Sequence, residues 1–175
     1  MARFATACQI RRRCSPSERV FYLAVCCTMP IVHSYTLSLR IESATLDVSR
    51  VTEELGLAPT QTRAAGQYRS PTSVFEKALW EFDLAPAEAD VAPENRPDFP
   101  QWESLEAAFR KLLSIFSGRA AVLRGYREQH QVYLWVGHFS SSFNGGPRLS
   151  AEILKALGDF GVPVWVDTHF VDHEA

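Results

Sequence analysis

The sequence predicts one α+β domain: a mixed or antiparallel sheet of about five strands, with helices mainly on one face, ferredoxin-like in style. Three observations predict it. Stretches of strict apolar–polar alternation, such as Tyr35–Glu42 and Leu79–Leu84, are interleaved with stretches of helical period. A length of 175 residues suffices for one core of ordinary size. Hydrophobic residues make up 46% and charged residues 22%, the balance of a folded domain rather than of a disordered or fibrous chain.

The domain is expected over residues 34–175. Residues 1–33 read as an unstructured or misannotated leader with no sustained period, and Met29 has the position of a natural start. Arg11–Arg13 followed by the apolar Val20–Val32 invites a secretory reading, but no small-x-small cleavage site follows. All four cysteines (Cys8, Cys14, Cys26, Cys27) precede residue 28, so the domain holds no disulfide framework and reads as cytoplasmic.

Within the domain, Tyr35, Leu37, Leu39 and Ile41 make one face of a first strand. Asp47 caps a short helix carrying Val48, Val51 and Leu55, which Gly56 ends. Residues 58–76 are a long connection rich in small polar residues. Trp80, Phe82 and Leu84 point inward from a second strand, and a proline-rich acidic link follows. Asp98 with Gln101 has capping-box spacing ahead of a helix whose stripe is Trp102, Leu105, Phe109, Leu112, Leu113 and Phe116, closed by Gly118. Ala120–Tyr126 and Val132–Phe139 read as a hairpin across Arg127–His130. Ser150 caps a last helix that ends at Gly161, and Val162–Phe170 is the final strand. The expected order is β-α-β-α-β-β-α-β.

Several motifs together resemble a known family. They are the Tyr-x-Leu-x-Leu-Arg-Ile strand, Leu55-Gly56-Leu57-x-Pro59-Thr60, Gly66, the Trp80 strand, and Leu149-Ser150-x-Glu152-Ile153-Leu154 leading to Val166-Asp167. Residues 34–170 resemble the bacterial family called domain of unknown function 4279. The resemblance implies a small α+β domain of bacterial origin and brings no activity, cofactor or catalytic set with it.

Charge and motif content narrow the function. The chain carries 18 basic and 20 acidic side chains, but the part after residue 33 has a balance of −6, which repels a phosphate backbone. No apolar run is long enough for a membrane helix. We therefore expect neither nucleic acid nor membrane as a partner. No Walker A or Gly-x-Gly-x-x-Gly motif is present, and no cofactor is expected. Ser140–Ser142, His138, Asp167 and His169 supply a nucleophile, a base and a carboxylate on paper, but without the elbow that exposes a reactive serine. Asp167, His169, Asp172 and His173 have donor chemistry for a divalent ion, but an i, i+4 pair shares a face only in a helix, and this segment reads as a strand. Neither set is taken as a site.

The aromatics are more informative. Tyr133, Trp135 and Phe139 share one strand face, and Trp165 shares another with Asp167 and His169. If helices cover only the opposite face, Arg40, Trp135, Trp165, Asp167 and His169 compose a binding surface. The expectation is a non-enzymatic protein-binding module, immunity-like by analogy, with an outside protein or a second copy as partner. A sensor or enzyme using a cleft on the same face is the alternative.

Overall fold

The computed structural model describes residues 33–86, 101–142 and 145–171. The expected leader, the Met29 start, the proline-rich link with Asp98, and Asp172 with His173 lie outside the described residues. The chain runs β1 (His33–Ser43), α1 (Val48–Leu55), β2 (Gln61–Arg63), β3 (Tyr68–Ser70), β4 (Ser73–Val74) and β5 (Ala78–Asp83). It continues through α2 (Leu105–Phe116), a 3-10 turn (Ser117–Arg119), α3 (Ala120–Arg127), β6 (Gln131–Ser140), α4 (Ala151–Phe160) and β7 (Val164–Phe170).

The five-stranded sheet has the order β2-β5-β1-β6-β7, with β3 and β4 as a separate hairpin. It is mixed. β1 pairs antiparallel with β5 and β6, and α4 carries the chain from β6 to a parallel β7. One core forms where Leu37, Leu39 and Ile41 of β1, Trp80 of β5, and Leu134 and Val136 of β6 meet Val51, Phe109, Phe116, Leu123 and Leu157 of the four helices. The alternation in the strands decides this, since every second side chain is apolar and must be shielded from water.

The helix ends follow local chemistry. Asp47 accepts the Arg50 N–H at 3.1 Å, Ser104 the Ala107 N–H at 3.3 Å, and Ser150 the Ile153 N–H at 3.4 Å, each supplying a partner to an orphan helical donor. Gly56 and Gly161 close α1 and α4 with φ of 59° and 75°, where a Cβ would be strained. Glu106 of α2 accepts both the Ser150 N–H and hydroxyl at 3.1 Å, which ties α2 to the start of α4.

Three expectations are corrected. Ala120–Arg127 is a helix, so there is no β-β hairpin at residues 120–139, and the fifth strand of the sheet is instead β2 from the long connection. The run Ala-Ala-Val-Leu-Arg-Gly-Tyr is too short to show its period, and only Leu123 is fully buried. Helix α2 starts after Ser104 and not after Asp98. Trp102 therefore lies outside its stripe and makes a two-residue bridge with Tyr35 (2.8 and 2.7 Å) while its indole donates to the Leu84 carbonyl.

Candidate functional site

Register places the polar and aromatic residues left over by the core in rows across the opposite sheet face. Gln61, Glu81, Arg40 and Tyr133 make one row over β2, β5, β1 and β6. Asp83, Ser38, Trp135 and Trp165 make the next over β5, β1, β6 and β7. The helices pack on the other side, in the core just described.

The first row is held by charge. Arg40 Nε donates to Glu81 Oε1 at 2.6 Å, and Glu81 is only 3% exposed, so its carboxylate is shielded beside a fixed cation. The Arg40 guanidinium also lies 4.2 Å from the centre of the Trp135 ring, an attraction between a cation and the negative ring face. Burial is the main cause of a raised Tyr133 pKa, with the Glu42 carboxylate adding to it and Arg40 opposing it.

From there aromatics continue to the sheet edge. Tyr133 stacks on Trp165 with ring centres 4.2 Å apart, and Phe139 stacks on His169 at 5.2 Å. His169 Nε2 lies 3.3 Å from Asp167 Oδ2. Thus Arg40 touches Trp135, Asp167 touches His169, and Tyr133 stacks on Trp165. All five expected residues share the face that no described helix covers. The sequence reading had Tyr133 and Phe139 as face residues, but assigned no role to Gly137. A Cβ there would stand 2.5 Å from Thr36 Oγ1 and 3.1 Å from the Trp135 ring, so only glycine fits between Trp135 and Phe139. An isolated glycine inside a strand is the signal that marks such close approach.

A concavity of about 400 Å³ opens beside Arg40, lined by Thr36, Arg40, Glu81, Asp83, Trp135 and Phe139. The Thr36 and Ser38 hydroxyl oxygens of this face are buried without a hydrogen-bond partner. A larger depression of about 530 Å³ lies by α1 and α3, but Arg50 and Glu54 there already pair at 2.7 Å. Burial and the Glu54 carboxylate push the Tyr126 phenol beside them up to about 12.

The serine–histidine set is not assembled. Ser140 Oγ donates to the Ser142 carbonyl at 2.7 Å and accepts the Ser142 N–H at 3.3 Å, which is turn chemistry. His138 points to the helical side, where its Nε2 meets His33 Nδ1 at 3.0 Å and its ring stacks on Tyr35, whereas Asp167 and His169 occupy the other face. Among the described residues, no group of three or more His, Cys, Asp or Glu is placed to hold a metal ion, and no helix is long and apolar enough to cross a membrane.

The family model described as domain of unknown function (DUF4279) matches residues 33–171. The chain belongs to the DUF4279 family. No curated protein and no solved structure shows a significant match. The DUF4279 match begins with the first residue of β1 and ends one residue after β7, so it spans the whole sheet, both faces included.

Proposed function

We propose that this domain is a non-enzymatic protein-binding module that meets its partner through the bare sheet face. The observation that carries the reading is the pair Trp135 and Trp165, the latter stacked on the buried Tyr133, with Arg40 beside the first tryptophan and Asp167 and His169 on the strand of the second. Rigid aromatics with a charged rim are the composition of interface hot spots. The balance of −6 after residue 33 suits a basic partner, whose approach it would accelerate. Small acidic immunity proteins neutralise toxins in this way, and the analogy supports that role here at the level of class.

A second reading has one observation of its own. Thr36 Oγ1 lines the concavity and is buried without a partner, which suits a small polar ligand seated beside Arg40.

One experiment tests both. Tryptophan fluorescence and thermal melting of the full chain are followed on adding the large and small fractions of a cell extract separated by ultrafiltration. The protein reading expects a protease-sensitive response to the large fraction that Trp135→Ala and Trp165→Ala abolish while leaving circular dichroism unchanged. A response confined to the small fraction, lost in Thr36→Val, establishes the second reading. A response that survives all three substitutions overturns both.

A further inference from the structure

The concavity beside Arg40 follows from side-chain size along two strands. Thr36 of β1 stands opposite Gly137 of β6, which brings no side chain, and Ser38 follows on β1 between Asp83 and Trp135. Small residues at the middle and large ones around them leave a hollow of about 400 Å³. Small-molecule sites run from about 300 to 1,000 Å³ and combine apolar walls with a few polar groups, so the hollow is of that size and kind. Its aromatic walls are Trp135 and Phe139.

Charge decides which kind of molecule it suits. The Arg40 guanidinium is engaged twice, by Glu81 Oε1 at 2.6 Å and by the Trp135 ring at 4.2 Å. An anionic ligand would have to draw it away from Glu81, which is 3% exposed and would be left a shielded carboxylate without its cation. Asp83 is the opposite case. Its Oδ2 accepts the Thr60 hydroxyl at 2.9 Å, a neutral donor, and among the described residues no cation pairs with it. Arg40, Glu81 and Asp83 together therefore leave the wall with one uncompensated negative charge. Thr36 is the diagonal neighbour of Asp83 on this face, because Asp83 faces Ser38, and the Thr36 hydroxyl has no hydrogen-bond partner. A cation with several N–H donors answers both groups, donating to the carboxylate and to the hydroxyl oxygen.

We infer that the concavity binds a small organic amine in its protonated form, with the ammonium between Asp83 and Thr36 and the apolar body against Trp135 and Phe139. The inference rests on the small-ligand reading given above and narrows it to a ligand class. An alkylamine is a cation at neutral pH, as the lysine side chain is. The two aromatic side chains cover its hydrocarbon part, and the Arg40–Glu81 pair stays intact while it binds.

Calorimetric titration of the full chain with phenethylamine, phenethyl alcohol and phenylacetate tests this, since the three share one ring and differ in charge. The amine is expected to bind with a Kd of about 1 mM or tighter, at least about tenfold tighter than the alcohol, and phenylacetate is expected to bind weakest. Asp83→Asn keeps the shape and is expected to cancel the preference for the amine over the alcohol. Thr36→Val is expected to weaken the amine by about threefold to tenfold, with circular dichroism unchanged in both variants. Phenylacetate bound as tightly as the amine, no binding of the amine, or a preference that survives Asp83→Asn overturns the inference. If the probes show no preference while the small extract fraction still gives its Thr36-dependent response, the small-ligand reading stands and the amine assignment falls. Silence in both experiments removes both.

Discussion

The two faces of the sheet are built from the same strands and obey opposite rules. On the covered face, Leu37, Leu39, Ile41, Trp80, Leu134 and Val136 are closed over by four helices and held chiefly by burial, with one side-chain hydrogen bond from the Trp80 indole to Thr52 Oγ1. On the bare face, Thr36, Ser38, Arg40, Glu81 and Trp135 alternate with them, and the contacts there are the Arg40–Glu81 charge pair, the Arg40–Trp135 cation–ring contact and the stacking of Tyr133 on Trp165. The covered face is interchangeable in detail, since any apolar residue of similar volume serves. The bare face is specific, because each of its contacts needs a particular partner, and specificity without a load to bear in the core is what recognition requires.

The sharpest way to break this contrast is to truncate one tryptophan on each face. Trp80 is fully buried and its indole donates to Thr52 Oγ1 at 3.1 Å, so Trp80→Ala is expected to cost about 3–5 kcal/mol. Trp135 is half-buried under Arg40, and Trp135→Ala is expected to cost about 1 kcal/mol. Urea denaturation of both variants checks the pair, and equal losses would mean that the two faces carry the fold alike.

The covered face was also the legible one. Strict alternation in Tyr35–Ile41 and Trp80–Leu84 named its inward residues, and Asp47, Gly56, Ser150 and Gly161 marked their helix ends correctly, because caps and left-handed glycines act within a few residues. Legibility failed where the deciding contact is distant. Ala120–Arg127 has no side-chain cap and follows a 3-10 turn, so nothing local announced a helix. The sheet order depends on which strands meet, and β2 has only three residues with which to declare itself. For the candidate site, residue parity grouped Trp135 with Tyr133 and Phe139, and Trp165 with Asp167 and His169, and the register of the sheet brings both groups onto one face with Arg40. That Arg40 pairs with Glu81, or that Tyr133 stacks on Trp165, required the register.

The next effect lies on the bare face. Glu81→Gln keeps the shape but leaves Arg40 without its carboxylate. Removing a charge-assisted bond at a buried acceptor costs about 1–3 kcal/mol, at the lower end here because the Arg40 side chain is 24% exposed. Arg40→Gln added to Glu81→Gln should cost less than the sum of the singles, and strict additivity in the double-mutant cycle would remove the pair from the account.

Gly137→Ala sharpens the same point through shape. The added methyl meets Thr36 Oγ1 at 2.5 Å, and overpacking of this kind costs about 1–3 kcal/mol where the neighbours cannot retreat. Thr36→Ala removes the atom in the way, so the double variant is expected to recover most of the loss in thermal melting. No recovery would mean that the Trp135 and Phe139 rings, and not the threonine, set the gap.

The smallest effect is a titration, and it belongs to the covered face. His138 is buried, stacked between Tyr35 at 5.0 Å and His33 at 5.2 Å, with its Nδ1 3.4 Å from Thr168 Oγ1. Burial lowers its pKa below the ordinary imidazole value, and charge on His33, whose Nδ1 is 3.0 Å from His138 Nε2, acts in the same direction. The fold therefore prefers the neutral ring. Its contribution to stability is complete above about pH 6.5, where the unfolded imidazole is neutral too, and is lost as pH falls through the lower folded value. A proton on both rings leaves their shared hydrogen bond without an acceptor. Proton NMR of the ring C2–H is expected to show His138 titrating below the ordinary value, and His33→Ala should move it part of the way back. A His138 that titrates at or above that value would mean the ring is solvated, and the covered face would then not close over this end of β6.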